Sequence, residues 1–119
     1  MLVVDDEAPL RELIAVTLGD DFACEEAADG QAALESVRAS PPDLVFLDVM
    51  LPGVSGLDVL TEMRADRRLA RIPVIVVSAW QASDDVTAAI ERGADHFLAK
   101  PFDVEELVSV AHELVEKKR

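Results

Sequence analysis

The sequence predicts an α/β domain built on a parallel sheet, doubly wound with helices on both faces. Five short apolar stretches alternate with five amphipathic ones, the pattern of successive βαβ units. Two of the apolar stretches, 44–47 and 72–77, are hydrophobic almost throughout, as strands covered on both faces must be. Four stretches also end in residues capable of chemistry. Leu2-Val3-Val4 precedes Asp5-Asp6, the run 44–47 precedes Asp48, Val74-Ile75-Val76-Val77 precedes Ser78, and His96-Phe97-Leu98-Ala99 precedes Lys100. Open α/β sheets place their ligands at the carboxyl ends of the strands, so these four ends are expected to converge on one pocket.

In chain order, residues 1–4 read as the first strand and the acids after it open a loop. Ala8-Pro9 starts a helix whose positions Leu10, Leu13, Ile14, Thr17 and Leu18 follow the i, i+3, i+4, i+7, i+8 spacing of a buried stripe. Pro9 suits the first turn, where its missing N–H has no intrahelical partner to lose. Gly19 is expected to end this helix in a left-handed conformation, and 22–25 reads as a weaker strand in which Cys24 is a small buried residue. Asp29-Gly30 turns into a second helix that runs to about Ala39, where Pro41-Pro42 forbids continuation. The central strand 44–47 follows, then the Pro52-Gly53 turn and, after Gly56, a helix with Leu57, Leu60 and Met63 inward. Beyond strand 72–77, a helix over 84–92 has few large apolar residues, essentially Val86 and Ile90 with alanines between, so it is expected to be lightly anchored and cheap to shift. Gly93 caps it and the strand His96–Ala99 follows. Asp103 starts a final helix with Val104, Leu107, Val108, Ala111, Leu114 and Val115 on one face, and Lys117-Lys118-Arg119 suits the negative end of its dipole.

A chain of 119 residues, half of them apolar, is expected to form one domain over 1–119. Its 24 acids against 11 bases give a net charge of −13, which argues against direct binding to nucleic acid or anionic lipid and favours cations and basic protein surfaces. No apolar run approaches the roughly 20 residues that cross a bilayer, and the start lacks a basic segment followed by an apolar one. A soluble, cytoplasmic protein is expected. The single cysteine excludes an internal disulfide and a multi-cysteine zinc site. His96 reads as a strand-edge residue and His112 as part of the solvated face of the last helix, without a second histidine or cysteine at ligand spacing. The start immediately before the first strand is expected of a chain trimmed from a longer one, and no second domain is expected within it.

Asp5, Asp6 and Asp48 would bring three carboxylates to one sheet edge, where they repel unless cations join them. Mg²⁺ and the Lys100 ammonium together supply +3 against −3. Mg²⁺ fits better than zinc, because the ligands are hard oxygens without histidine or cysteine. Taken alone, Asp5-Asp6 also reads as an acid pair favoured by a helix dipole; Asp48 and Lys100 at matching strand ends shift the balance towards a site.

Four segments carry a resemblance: Val3-Val4-Asp5-Asp6-Glu7; Asp48 through Gly56 as Asp-Val-Met-Leu-Pro-Gly-Val-Ser-Gly; Val77-Ser78-Ala79; and Gly93 through Phe102 as Gly-Ala-Asp-His-Phe-Leu-Ala-Lys-Pro-Phe. In order and spacing they resemble the receiver domain of two-component response regulators, over the whole chain. The resemblance implies a flavodoxin-like (βα)5 fold with strand order 2-1-3-4-5. It implies that Asp48 is a phosphoacceptor, taking a phosphoryl group from a phosphohistidine on a histidine kinase or histidine phosphotransfer protein. It further implies that Mg²⁺ is held by Asp6, Asp48 and the Met50 carbonyl, with Asp5 acting through metal-bound water. Lys100 would pair with Asp48 at rest and with a phosphoryl oxygen afterwards, and Ser78 would donate its hydroxyl to another. Movement of Ser78 would let Phe97 turn inward and shift the helix over 84–92. The face of the fourth helix, fifth strand and fifth helix would then meet a downstream effector or a second copy. Lys100-Pro101 resembles the family's cis peptide.

The chain departs from many relatives in three places. Phe97 stands where tyrosine is common, so a switch there rests on packing alone. Trp80 is bulky for a position near the pocket mouth; it would shield an acyl phosphate from water, contact a partner, or simply pack. Met50 offers no side chain to position an attacking water, so slow intrinsic dephosphorylation is expected. Two rivals share these residues. A Mg²⁺-dependent aspartyl-phosphate phosphatase usually needs a second acid two residues after the nucleophile, and that position is Met50. A phosphorylation-independent interaction module usually lacks one of the acids or the lysine, and this chain has them all. A regulatory phosphoacceptor rather than an enzyme is therefore expected.

Overall fold

A computed structural model describes residues 1–19, 22–78 and 83–117. In chain order it contains β1 (Leu2–Val4), α1 (Ala8–Leu18), β2 (Glu25–Ala27), α2 (Gly30–Ala39), β3 (Val45–Asp48), α3 (Gly56–Ala65), β4 (Val74–Ser78), α4 (Ser83–Glu91), β5 (His96–Ala99) and α5 (Val104–Lys117). The strands are parallel and lie in the order β2-β1-β3-β4-β5. The chain winds outward from β1 to β2, then returns past β1 to β3, so β1 and β3 flank the point where the winding reverses. Crevices at such points are where α/β sheets bind ligands.

Alternate residues of a strand point to opposite faces, so a strand buried on both needs an unbroken apolar run. On one face Val3, Phe46, Ile75 and Val77 pack against Ile14 and Leu18 of α1 and Leu107, Val110 and Ala111 of α5. On the other, Val4, Val45, Leu47, Val74 and Val76 pack against Leu34 and Val37 of α2, Val59, Leu60 and Met63 of α3, and Ala89 of α4. Each of the larger side chains so buried contributes roughly 2 kcal/mol of transfer free energy. Asp29 caps α2 by accepting a hydrogen bond from the Ala32 N–H at 2.7 Å, and Ser55 caps α3 by accepting one from the Asp58 N–H at 3.2 Å.

Several local expectations are corrected. Leu13 is 48 % exposed and Thr17 also faces water, because the core side of α1 is centred on Leu10, Ile14 and Leu18 and each residue step turns the helix by about 100°. Gly19 has φ −61°, right-handed rather than left-handed, and the Phe22 N–H donates to the Leu18 carbonyl at 2.8 Å. The second strand is Glu25–Ala27, beginning three residues later than expected: pairing with β1 sets its register at Leu2↔Glu25, while Phe22 and Cys24 pack beside it from the preceding loop. Cys24 is half-buried there rather than enclosed in a strand, and burial raises its thiol pKa. His112 is half-buried with its ring 5.4 Å from that of Phe22, not on a solvated face.

Among the described side chains of α4 Ala89 is buried in the core, and Ile90, one step further round, is 62 % exposed. The segment that leaves the carboxyl end of this helix is tied to α3. Arg92 reaches Asp58 at 3.2 Å, and the Arg64 Nε–H donates to the Gly93 carbonyl at 3.0 Å. Gly93 has φ +100°, a conformation that suits glycine, and packs directly on the Arg64 side chain. Ala79, Trp80, Lys118 and Arg119 lie outside the described residues, as do the side chains of Val86 and Lys117. Among the described residues no helix is long and apolar enough to cross a membrane.

Candidate functional site

The carboxyl ends of β1, β3, β4 and β5 meet at one edge. The ladder carries past β1 with the Asp5 N–H donating to the Ala27 carbonyl at 3.1 Å, which buries Asp5 completely. The chain then turns sharply: Asp5 Oδ1 accepts from the Glu7 N–H at 2.8 Å, and Asp6 swings out to the surface. On β3 the expected end of the strand at residue 47 moves to Asp48 itself, which is only 3 % exposed. The Val49 N–H still reaches the Val77 carbonyl at 2.9 Å, and the Gly56 N–H reaches the Val49 carbonyl at 3.1 Å. This draws the start of α3 onto the strand end so closely that a Cβ on Gly56 would overlap the Asp48 carbonyl oxygen.

Lys100 closes the pocket from β5. Its N–H donates to the Ser78 carbonyl at 2.7 Å, and its peptide bond to Pro101 is cis. Its Nζ lies 2.8 Å from Asp48 Oδ2 and 2.8 Å from Asp5 Oδ2, and 3.7 Å from Glu7 Oε1. The other Asp48 oxygen accepts from the Met50 N–H at 2.9 Å. Ser78 is the last residue of β4, 2 % exposed, and sits one position beyond the Asp48↔Val77 pair.

Burial raises the Asp48 carboxyl pKa; hydrogen bonds from Lys100 and Met50 offset this in part, and the Asp5 charge adds to it. For Lys100 burial by itself lowers the pKa, but its hydrogen bonds to Asp48 and Asp5 outweigh that and hold the ammonium above its ordinary 10.5. A charged lysine is thus locked between two carboxylates.

Oxygens of Asp5, Asp6 and Asp48 all lie within 4.8 Å of one another. Three carboxylates against one ammonium leave an excess of negative charge that a hard divalent cation would neutralise, and the donors are all oxygen; the residues present fit Mg²⁺. Their availability differs. Both oxygens of Asp5 already accept hydrogen bonds, whereas the exposed Asp6 carboxylate has no hydrogen-bond or ion-pair partner among the described residues.

The structure therefore brings together Asp5, Asp6, Asp48, Ser78 and Lys100. Met50 contributes its backbone here, and its side chain is 65 % exposed. Phe97 stands apart, half-buried on β5 opposite Val76 and packed on the core face that α2, α3 and α4 cover. Trp80 falls outside the described residues. Sequence reasoning passed over Arg11, whose guanidinium donates to the Asp5 carbonyl at 2.6 Å and to Glu26 at 3.1 Å. A helical arginine reads as solvated surface, and only the spacing of one turn after Glu7 hints that it returns to the strand end.

The family model described as the response regulator receiver domain matches residues 1–112. Among curated proteins, the chain is 43 % identical over 110 residues to the DNA-binding response regulator MtrA of Mycobacterium tuberculosis, covering 92 % of this chain and 47 % of that protein. It is 41 % identical over 110 residues to the phosphate regulon transcriptional regulatory protein PhoB of Pseudomonas aeruginosa, covering 92 % and 48 %. The chain spans about half the length of the curated relatives it matches. Among solved structures, the receiver domain of NtrX from Brucella abortus superposes with a TM-score of 0.87 at 36 % identity, covering 97 % of both chains. The Francisella response regulator 1452 receiver domain superposes with a TM-score of 0.91 at 26 % identity, covering 99 % of this chain and 97 % of that one.

Proposed function

The chain belongs to the response regulator receiver domain family, and from that premise we propose that it is a phosphorylation switch whose acceptor is Asp48 and whose domain spans 1–119. The observation that carries this reading is the buried Asp48 carboxylate at a strand end, held at 2.8 Å by a lysine that also grips Asp5. A phosphohistidine of a histidine kinase or phosphotransfer protein supplies the phosphoryl group. An Asp48 oxygen forms a bond to phosphorus as the nitrogen–phosphorus bond breaks, and the electron pair returns to the imidazole.

Phosphoryl transfer asks a protein for positioning and charge neutralisation more than for acid–base groups. Asp48 is positioned by the Met50 N–H and Lys100 before any substrate arrives. Lys100 remains on Asp5 while its second contact passes from Asp48 to a phosphoryl oxygen, and the Ser78 hydroxyl donates to another. Asp6, Asp48 and the Met50 carbonyl would hold Mg²⁺ directly, and Asp5 through water. Bound there, the ion supplies positive charge against the phosphoryl oxygens.

Movement of Ser78 towards a phosphoryl group would open space for Phe97 to turn inward and displace α4. Phe97 lies half-buried opposite Val76 on the core face that α4 covers, which supports a coupling between its side chain and that helix. The output surface is then the α4, β5 and α5 face, which presents Ile90 and would meet an effector or a second copy. DNA binding is named for the MtrA relative, which is about twice as long; the −13 charge here supports a receiver that controls such a function without touching DNA, and a cytoplasmic location is part of the same proposal.

Incubation with Mg²⁺ and acetyl phosphate tests the reading by intact-mass measurement. A single phosphoryl adduct that Asp48→Asn abolishes is expected. Multiple turnover of phosphate esters would instead favour the phosphatase, and no adduct with acetyl phosphate or beryllofluoride would favour a phosphorylation-independent module.

A further inference from the structure

Arg11 is unusual among the arginines of this chain, because it serves the acid pocket without facing it. It lies on α1, one turn into the helix, with its side chain only 16 % exposed. One guanidinium nitrogen donates to the main-chain carbonyl of Asp5 at 2.6 Å, and Nε donates to Glu26 of β2 at 3.1 Å. The same helix end is tied back by the Arg11 N–H and Leu10 N–H, which both donate to the Glu7 carbonyl at 3.2 Å. The turn carrying Asp5 and Asp6 is therefore closed by a two-point clasp from helix to strand end to neighbouring strand. Among the described residues the Asp6 carboxylate, by contrast, has no hydrogen bond or ion pair of its own, so its placement follows the backbone between Asp5 and Glu7.

We propose that Arg11 is a positioning residue of the phosphoacceptor site, orienting the Asp5-Asp6 turn so that its carboxylates are ready for a divalent cation. This rests on the reading of Asp5, Asp6 and Asp48 as the cation pocket. Groups behind the direct ligands commonly govern metal affinity by holding those ligands in place. The proposal makes a prediction opposite in sign to simple electrostatics. Arg11 is a cation beside a cation site, so its charge opposes Mg²⁺; deleting it for charge reasons alone would tighten binding. Deleting a clasp would weaken it.

The experiment is titration of the metal-free protein with MgCl₂ at fixed ionic strength, followed by calorimetry, for wild type, Arg11→Lys and Arg11→Met. Arg11→Lys keeps the charge but cannot bridge Asp5 and Glu26 with a planar fork. We expect Mg²⁺ binding about tenfold weaker in Arg11→Lys, and weaker than wild type in Arg11→Met as well. Melting in EDTA reports the folding of each variant, and Arg11→Lys is the milder of the two should Arg11→Met unfold. Wild-type affinity in Arg11→Lys, or tighter binding in Arg11→Met, overturns the inference while leaving the pocket intact. No Mg²⁺ binding by the wild type overturns both the pocket and the inference.

Discussion

Lys100 Nζ stands 2.8 Å from Asp48 Oδ2 although 52 residues separate them in the chain. The pair joins β3 to β5 across the end of β4, and Asp5 from β1 shares the same ammonium. Removing the lysine leaves two buried carboxylates facing each other. Lys100→Met is therefore expected to destabilise the metal-free protein by roughly 3 kcal/mol in urea denaturation, the cost of breaking a buried pair, and by less when Mg²⁺ is present. A loss that Mg²⁺ does not diminish would count against the cluster as a cation site.

Asp48→Asn should act in the opposite direction. Burial disfavours the charged acid and Asp5 adds repulsion, so the neutral amide relieves both. In EDTA at neutral pH its melting temperature is expected to rise by roughly 2–5 °C. The increase that MgCl₂ confers on the wild type should shrink in the variant. A lower melting temperature in EDTA would show that the hydrogen bonds at Asp48 outweigh its desolvation.

The two shifted groups give the metal-free protein a distinctive pH profile. Folded Asp48 keeps its proton above its ordinary 3.8, where the unfolded chain has released it, so stability declines as pH rises from 3.8 through the folded pKa. Lys100, held above 10.5, contributes stability that is complete below 10.5 and lost as pH rises through its folded pKa. Urea midpoints measured in EDTA between about pH 4 and 11 should show both losses, the first absent in Asp48→Asn and the second in Lys100→Met. Superimposable alkaline limbs for wild type and Lys100→Met would refute the assignment.

Arg64 is expected to matter far more than its neighbour Arg92. It is 19 % exposed and donates to the carbonyls of Gly93, Ala70 and Ile72 and to the Asp95 carboxylate, which in turn accepts from the Val74 N–H. Arg64→Ala strands these acceptors and should cost about 3 kcal/mol, whereas Arg92→Ala, at an exposed pair, should cost under about 1 kcal/mol. Parallel chemical denaturation of the two variants decides the comparison.

An acyl phosphate on Asp48 should hydrolyse slowly, since the exposed Met50 side chain has no group to hold a water. Replacing Met50 and Trp80 with small polar residues should accelerate loss of the adduct, measured by intact mass after removal of the donor. An unchanged lifetime in the double variant would exclude both side chains as controls.

Much of this molecule is legible from residue order alone. The unbroken runs before Asp48 and Ser78 demand cover on both faces, and alternation with helices demands parallel crossovers, so the central strands and the polar residues that follow them were assignable from residue order. The sequence also favours an oxygen-seeking cation as the one such a carboxylate cluster would take, through the lack of clustered histidine or cysteine. What tertiary structure decided are the things that pairing and helix rotation control. An edge strand such as β2 takes its register from β1, which placed it at Glu25–Ala27. A short helix with apolar residues on two adjoining stripes buries the one its neighbours reach, which turned Leu13 and Ile90 to water. Contacts to main-chain carbonyls leave no sequence pattern, because every residue has a carbonyl. For that reason Arg11, clasping Asp5 through its backbone, became visible only when the chain was folded.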